Sequence, residues 1–317
     1  MEHWTPSNLT EFILHGFPTF QPWHCIVFGI IILMYLLTLT GNMIIIMIVR
    51  TDSNLSSPMY FFISNLSFIE IFYTSVTIPK LLALVIGRSQ LISFESCLIQ
   101  FYFFFSLGST ECFLLTAMSY DRYIAICKPL HYIVIMRDTV CVQLVLACWT
   151  GGFFLNLFPV LLISKLRFCG TNIQHFFCDL SPLLKLSCQS TKEIETLNFF
   201  TALFIVLFSF SVSLVTYIQI IRMVLSIPSS LGRQKAFSTC ASHLTVILIF
   251  YGAIAFVYVR PRASTTFQLN QVLSMIYILV TPILNPLIYS LRNEDAKTAI
   301  RKAYLCTAKG NSNNGSK

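Results

Sequence analysis

Seven long apolar runs divide this chain, at roughly Cys25–Val49, Met59–Ile86, Leu98–Cys127, Val140–Ile163, Leu197–Leu225, Ala236–Val259 and Phe267–Ser290. Each has the ~20 residues a helix needs to cross hydrocarbon. Lipid offers no partner to exposed backbone groups, so the runs predict helices. An odd number of spans places the two ends on opposite sides. The predicted fold is therefore an all-α membrane protein, a seven-transmembrane helix bundle. Residues 1–22 form an N-terminal segment, 23–291 the bundle and 292–317 a tail. In the tail, Glu294 and Asp295 precede Lys297, Arg301 and Lys302, an order that suits a helix dipole. It predicts a short amphipathic helix after the seventh span, lying on the inner membrane surface. Prolines interrupt the spans at Pro159, Pro282 and Pro286. Each frees a helical carbonyl, and Asn285-Pro286 followed by Tyr289 reads as a hinge with polar groups around it.

Composition agrees. The chain is 56% hydrophobic and 11% charged, where a soluble domain carries roughly 25% charged residues. The net charge of +8 must be read through topology, because surplus Lys and Arg mark cytoplasmic loops. With the N-terminus outside, the inner side holds Arg50, Lys128, Arg137, Arg222, Arg233, Lys235 and six more bases in the tail. The outer side holds fewer, and residues 1–22 hold none. This orientation places the Asn8-Leu9-Thr10 glycosylation sequon outside. It places the sequons at Asn54, Asn65 and Asn314 in cytosol or membrane. It also puts Cys97, Cys169, Cys178 and Cys188 outside, where disulfides persist and three pairings are open. The connection from Ser164 to Glu195 is the longest and contains HFFCDL. No basic run with interleaved aromatics suggests a nucleic-acid surface.

Charges within the spans carry the chemistry. Glu70 lies about 18 Å into the second span and Glu111 about 21 Å into the third, at similar depth on neighbouring helices. Two carboxylates in low dielectric require a proton or a cation such as Na⁺ between them. Asn42, Ser67 and Asn285 are candidate helpers. The alternative is two neutral acids bonded to Ser and Asn neighbours. Lys80, near the outer end of its span, is expected to snorkel. Asp121 and Arg122 form a charge pair where the third span meets the inner surface, the kind of pair that holds one conformation closed.

These residues together resemble the rhodopsin-like G-protein-coupled receptors, and within them the odorant receptors, over nearly the whole chain. The carriers are NLTEFILHGF at the start, Gly41-Asn42, PMYFFISNLSFIE at 58–70, MSYDRYIAICKPLHY at 118–132, KAFSTCASHL at 235–244 with FYG at 250–252, and PILNPLIYSLRN at 282–293. The resemblance implies an odorant receptor of the plasma membrane that activates a stimulatory, olfactory-type heterotrimeric G protein and raises cyclic AMP. It implies a coupling and switch set of Asp121, Arg122, Tyr123, Tyr217, His243, Asn285, Pro286 and Tyr289. Arg122 would turn from Asp121 toward the G protein as the sixth span swings out. His243 by itself reads more readily as a polar packing residue. Disulfides Cys97–Cys178 and Cys169–Cys188 are implied too. Glu70 stands where aspartate is commoner. Ser119 replaces the commoner alanine, a change expected to matter little.

By the same analogy the ligand pocket draws on Phe104, Phe105, Gly108, Ser109, Thr201, Ile205, Tyr251, Ile254, Ala255, Tyr258 and Ile278. That is an apolar cavity with a few hydroxyls, suited to small, mostly neutral odorants. Phe104 stands where amine receptors carry an aspartate, which disfavours cationic ligands. Two other readings compete. One keeps the receptor and gives it a non-odorant metabolite in another tissue. The other is a multi-pass transporter, which the lack of inverted halves disfavours. No metal-ligand pair or nucleophile motif suggests an enzyme. Apart from Na⁺ at Glu70 and Glu111, no cofactor is expected.

Overall fold

A computed structural model describes residues 10–15, 23–87, 90–258, 267–291, 297–299 and 301. Seven helices of 25 residues or more form the bundle: α1 (His24–Thr51), α2 (Pro58–Val85), α3 (Phe94–Cys127), α5 (Asp138–Ile163), α7 (Lys192–Leu225), α8 (Ser230–Tyr258) and α9 (Phe267–Leu291). The short helices α4 (Tyr132–Ile135) and α6 (Leu180–Leu184) lie in connections. Among the described residues, α1, α2, α3, α5 and α7 are long and apolar enough to cross a membrane. α8 and α9 carry shorter apolar stretches, Cys240–Ile254 and Ile278–Ile288. Residues 297–299 and 301 are helical; the rest of the predicted tail helix, and Asn8, lie outside the described residues.

Helix ends follow local chemistry. Pro58 opens α2, where its missing N–H costs nothing. Gly87, at φ 69°, lets the chain leave α2 through the left-handed region. Ser93 accepts from the Ser96 N–H and caps α3.

α3 is the central column. It packs on α2, α5, α7 and α8, while α1 packs on α2 and α9. The tightest approach is between α3 and α5. A Cβ on Gly152 would sit 2.2 Å from Thr110 Oγ1 and 2.9 Å from the Ser106 carbonyl oxygen. Beside it, Asn156 donates to Ser109 Oγ at 2.9 Å. α1 meets α9 at a similar fit, with Gly41 against the Pro286 ring. Pro286 deprives the Pro282 carbonyl of its helical donor, and Asn42 Nδ2 supplies one at 3.2 Å.

The outer end carries a feature absent from the helical expectation. A three-stranded sheet, in the order β2-β1-β3, joins β1 (Glu11–Leu14), β2 (Leu91–Ser93) and β3 (Asn172–Ile173). β1 runs antiparallel to β2 and parallel to β3. Phe12, fully buried, meets Phe94 and Phe168 at ring separations of 6.0 and 5.4 Å. Disulfides Cys97–Cys178 and Cys169–Cys188 tie down the long connection. Gln100, on α3, donates to the Val76 carbonyl and accepts from the Cys178 N–H. This cap buries His175 against Phe176 and Phe177, with ring centroids at 4.7 and 4.5 Å. Burial pushes the His175 imidazole below its usual value, outweighing nearby Asp179.

Two outcomes follow from this packing. Gly152→Ala should lower the thermal midpoint of purified receptor, overpacking typically costing ~1–3 kcal/mol. Gly29→Ala, with nothing within 4 Å of its new methyl, should leave that midpoint equal or higher. Separately, His175 takes a proton less readily in the folded chain than in the unfolded one. Its contribution is present above the unfolded value near 6.5 and is lost as pH falls below it. Thermal midpoints recorded between pH 7.5 and 5.5 should decline, and His175→Phe should reduce that slope.

Candidate functional site

At the inner end of α3, Asp121 is fully buried. Arg122 Nη2 and Nε donate to its Oδ2 at 2.7 and 3.1 Å. Tyr132, from α4, donates to the other carboxylate oxygen at 2.9 Å. Burial and the adjacent carboxylate push the Tyr132 phenol up, so it stays protonated and donates. Both oxygens of Asp121 are thus satisfied. Tyr132 belongs to the 118–132 motif but has no role in the switch set expected from sequence. Directly beside this latch, Leu130, Ile133 and Val134 are 92%, 84% and 74% exposed. These three apolar side chains form a surface at the end of the bundle where α3 ends. Tyr123, half-buried, sits one turn before the end of α3.

Deeper, Tyr217 on α7 and His243 on α8 are joined by a 2.8 Å hydrogen bond between Oη and Nδ1. Both are buried. Ser119 donates to the Leu115 carbonyl and sits 3.2 Å from Ser213 Oγ on α7. Ser119, expected to matter little, thus makes an interhelical contact. Thr116 also reaches the Ser209 carbonyl of α7, at 3.4 Å.

At mid-depth, Asn285 donates to Glu70 Oε1, and Asn42 sits beside the same carboxylate. Glu111 is within electrostatic reach. Among the described residues, two acceptor oxygens here, Glu70 Oε2 and Asn42 Oδ1, are buried without a hydrogen-bond partner. A hard cation prefers this kind of oxygen donor. Among the described residues, no group of three His, Cys, Asp or Glu side chains is placed to hold a metal ion.

In the outer half, the sequence-named pocket residues face different ways. Phe104 stacks on Tyr73 of α2, with centroids 4.7 Å apart, and touches Phe177 of the outer connection at 4.8 Å. Phe105 packs on Phe101. Gly108 opens toward Tyr73, whose ring would be 3.8 Å from a Cβ. Ser109 is turned to α5, where Asn156 holds its hydroxyl. Ile205 and Ile278 are buried, and Thr201 and Ile254 are half-buried. Tyr251 packs on Phe210 and Phe250, and its buried hydroxyl lies toward Ser209, Ser213 and Thr116. The side chains of Ala255, Tyr258 and Tyr289 lie outside the described ones. Tyr73 and Phe177 were not named from sequence. Phe177 belongs to the HFFCDL run, and Tyr73 lies about one turn from Glu70.

The family model described as "Olfactory receptor" matches residues 31–307. Olfactory receptor 226 of Rattus norvegicus is 50% identical, covering 98% of this chain and 97% of its own length. Olfactory receptor 6A2 of Homo sapiens is 51% identical over 93% of this chain and 91% of its own. Olfactory receptor 6B9 of Mus musculus is 50% identical over 93% and 94%. With a family model matched over most of its length and relatives at half identity nearly end to end, the chain belongs to the olfactory receptors, a family of seven-span, G-protein-coupled membrane receptors and not of enzymes.

Proposed function

We propose that this receptor binds small, mostly apolar volatile molecules and activates a stimulatory heterotrimeric G protein, raising cyclic AMP. It works in the plasma membrane with its N-terminus outside. The observation that carries the reading is the latch of Asp121, Arg122 and Tyr132 beside the exposed apolar patch of Leu130, Ile133 and Val134. A buried ion pair is costly unless its remaining hydrogen-bond capacity is filled, as Tyr132 does here. Released from Asp121, Arg122 becomes a donor for an incoming partner helix. Leu130, Ile133 and Val134 offer that partner an apolar footing.

The ligand reading rests on the aromatic lining. Phe104, Tyr73 and Phe177 give an apolar wall. The wall favours neutral ligands with at most a few polar atoms. Orientation is supported by the two disulfides, which share the outer end with the strand following Asn8. Na⁺ would be held by Glu70 and Asn42, with Glu111 adding negative charge and Asn285 steadying the carboxylate. Its presence would favour the resting packing of α1, α2, α3 and α9.

In cells exposed to a broad volatile panel, at least one compound should raise cyclic AMP. Arg122→Ala should abolish that response at equal surface expression. A response retained in that variant would contradict the proposal. Tyr132→Phe removes a hydrogen bond to a charged group, worth ~1.5–3 kcal/mol, and should raise ligand-independent cyclic AMP. For the cation, thermal midpoints of purified receptor should be higher in sodium chloride than in choline chloride. Glu70→Gln should erase the difference, whereas an unchanged sodium effect would remove Glu70 from the site.

A further inference from the structure

On the outer half of the bundle, a crevice of about 460 Å³ opens between α2, β2 and the start of α3. It is separate from the ligand pocket of the receptor reading, and its placement in the outer leaflet rests on the N-terminus-outside orientation proposed above. Its apolar wall is Val76, Leu91, Ile92, Ile99 and Phe103, and its polar side is Lys80, Ser93, Ser96 and Gln100. Ile99, Leu91 and Phe103 are 58%, 51% and 38% exposed, so the crevice faces outward, toward lipid. Lys80 was expected simply to snorkel. Its ammonium reaches the mouth of this crevice and donates to the Leu91 carbonyl at 2.5 Å. Gln100 closes the inner wall through its bonds to Val76 and Cys178.

We propose that this crevice binds the carboxylate end of a single-chain fatty acid drawn from the outer leaflet. The argument rests on charge and place. A cation on an apolar wall selects an anionic amphiphile over a neutral one. Lys80 lies five residues before the outer end of α2, about 7–8 Å below it, the depth at which a lipid headgroup meets hydrocarbon. Anionic phospholipids concentrate in the cytoplasmic leaflet. The acid available to an outer-leaflet crevice is therefore a single-chain one. The volume falls in the ~300–1,000 Å³ range of small-molecule sites, and one acyl chain can lie along Ile99 and Phe103. Occupancy would brace α2 against α3 at the edge of the sheet, next to Gln100 and the Cys97–Cys178 bridge.

The test uses full-length receptor in nanodiscs of neutral phosphatidylcholine, with a diazirine analogue of hexadecanoic acid as the probe. Photolabelling should saturate and map to peptides containing Val76–Phe103. Hexadecanoic acid should compete, and hexadecanol should not. Lys80→Gln should reduce labelling about tenfold, the scale of one charge-assisted hydrogen bond, and Lys80→Arg should retain it. Ile99→Trp fills the crevice from its lipid side without touching the Lys80 bond, and should also abolish saturable labelling. Equal competition by the alcohol would overturn the proposal. So would undiminished labelling in monodisperse Ile99→Trp receptor.

Discussion

The carboxylate of Asp121, withdrawn from water at the inner end of α3, sets the terms for the rest of this protein. Buried charge is tolerated only when every lone pair is answered, and here Arg122 answers one oxygen and Tyr132 the other. Removing either partner exposes the cost of the remaining charge. The closed arrangement is thus stable yet conditional: it holds while no better partner for the guanidinium is near. A latch of this kind suits a switch, because its two states differ by the exchange of a few strong hydrogen bonds.

For the latch to respond to an event on the far side, α3 must act as one piece. Its packing provides that. Gly152 lets α5 approach its backbone, Asn156 bonds Ser109, and Ser119 and Thr116 contact α7. At the outer end the Cys97–Cys178 bridge and Gln100 fasten it to the long connection and the sheet. Against this rigid column α9 is built to be softer. Pro282 and Pro286 interrupt it, and Asn42 and Asn285 satisfy or steady the groups around them. The Tyr217–His243 bond ties α8 to α7 above the latch. Movement of α8 must either break that bond or carry α7 with it.

Much of this was legible in the chain. The apolar runs locate the spans: α7 ends at Leu225 as its run does, although it starts at Lys192 rather than Leu197, and α8 starts at Ser230 rather than Ala236. Asp121 and Arg122 were identifiable because charge at a membrane boundary demands a reason. Three things were not. The sheet at the outer end involves strands of two to four residues, too short for alternation to show, and pairs Ile13 with Leu91 and Asn172 across long separations. Tyr132 lies eleven positions beyond Asp121, in a connection whose path no periodicity gives. Phe104 and Ser109 are five residues apart, about 140° around one helix, so spacing separates them but could not say which turns to Tyr73 and which to α5. Lys80 shows the same limit: its position near a span end is evident, and the carbonyl it reaches is not.

The central claim is that the Asp121–Arg122–Tyr132 network holds the inner mouth of the bundle shut. Electron-spin distance measurements between labels placed at Arg137 and Gln234, both exposed at that mouth, test it most directly. The native receptor should give one short-distance population, and Asp121→Asn should shift a substantial fraction to longer distances. Identical distributions in the two proteins would contradict the account.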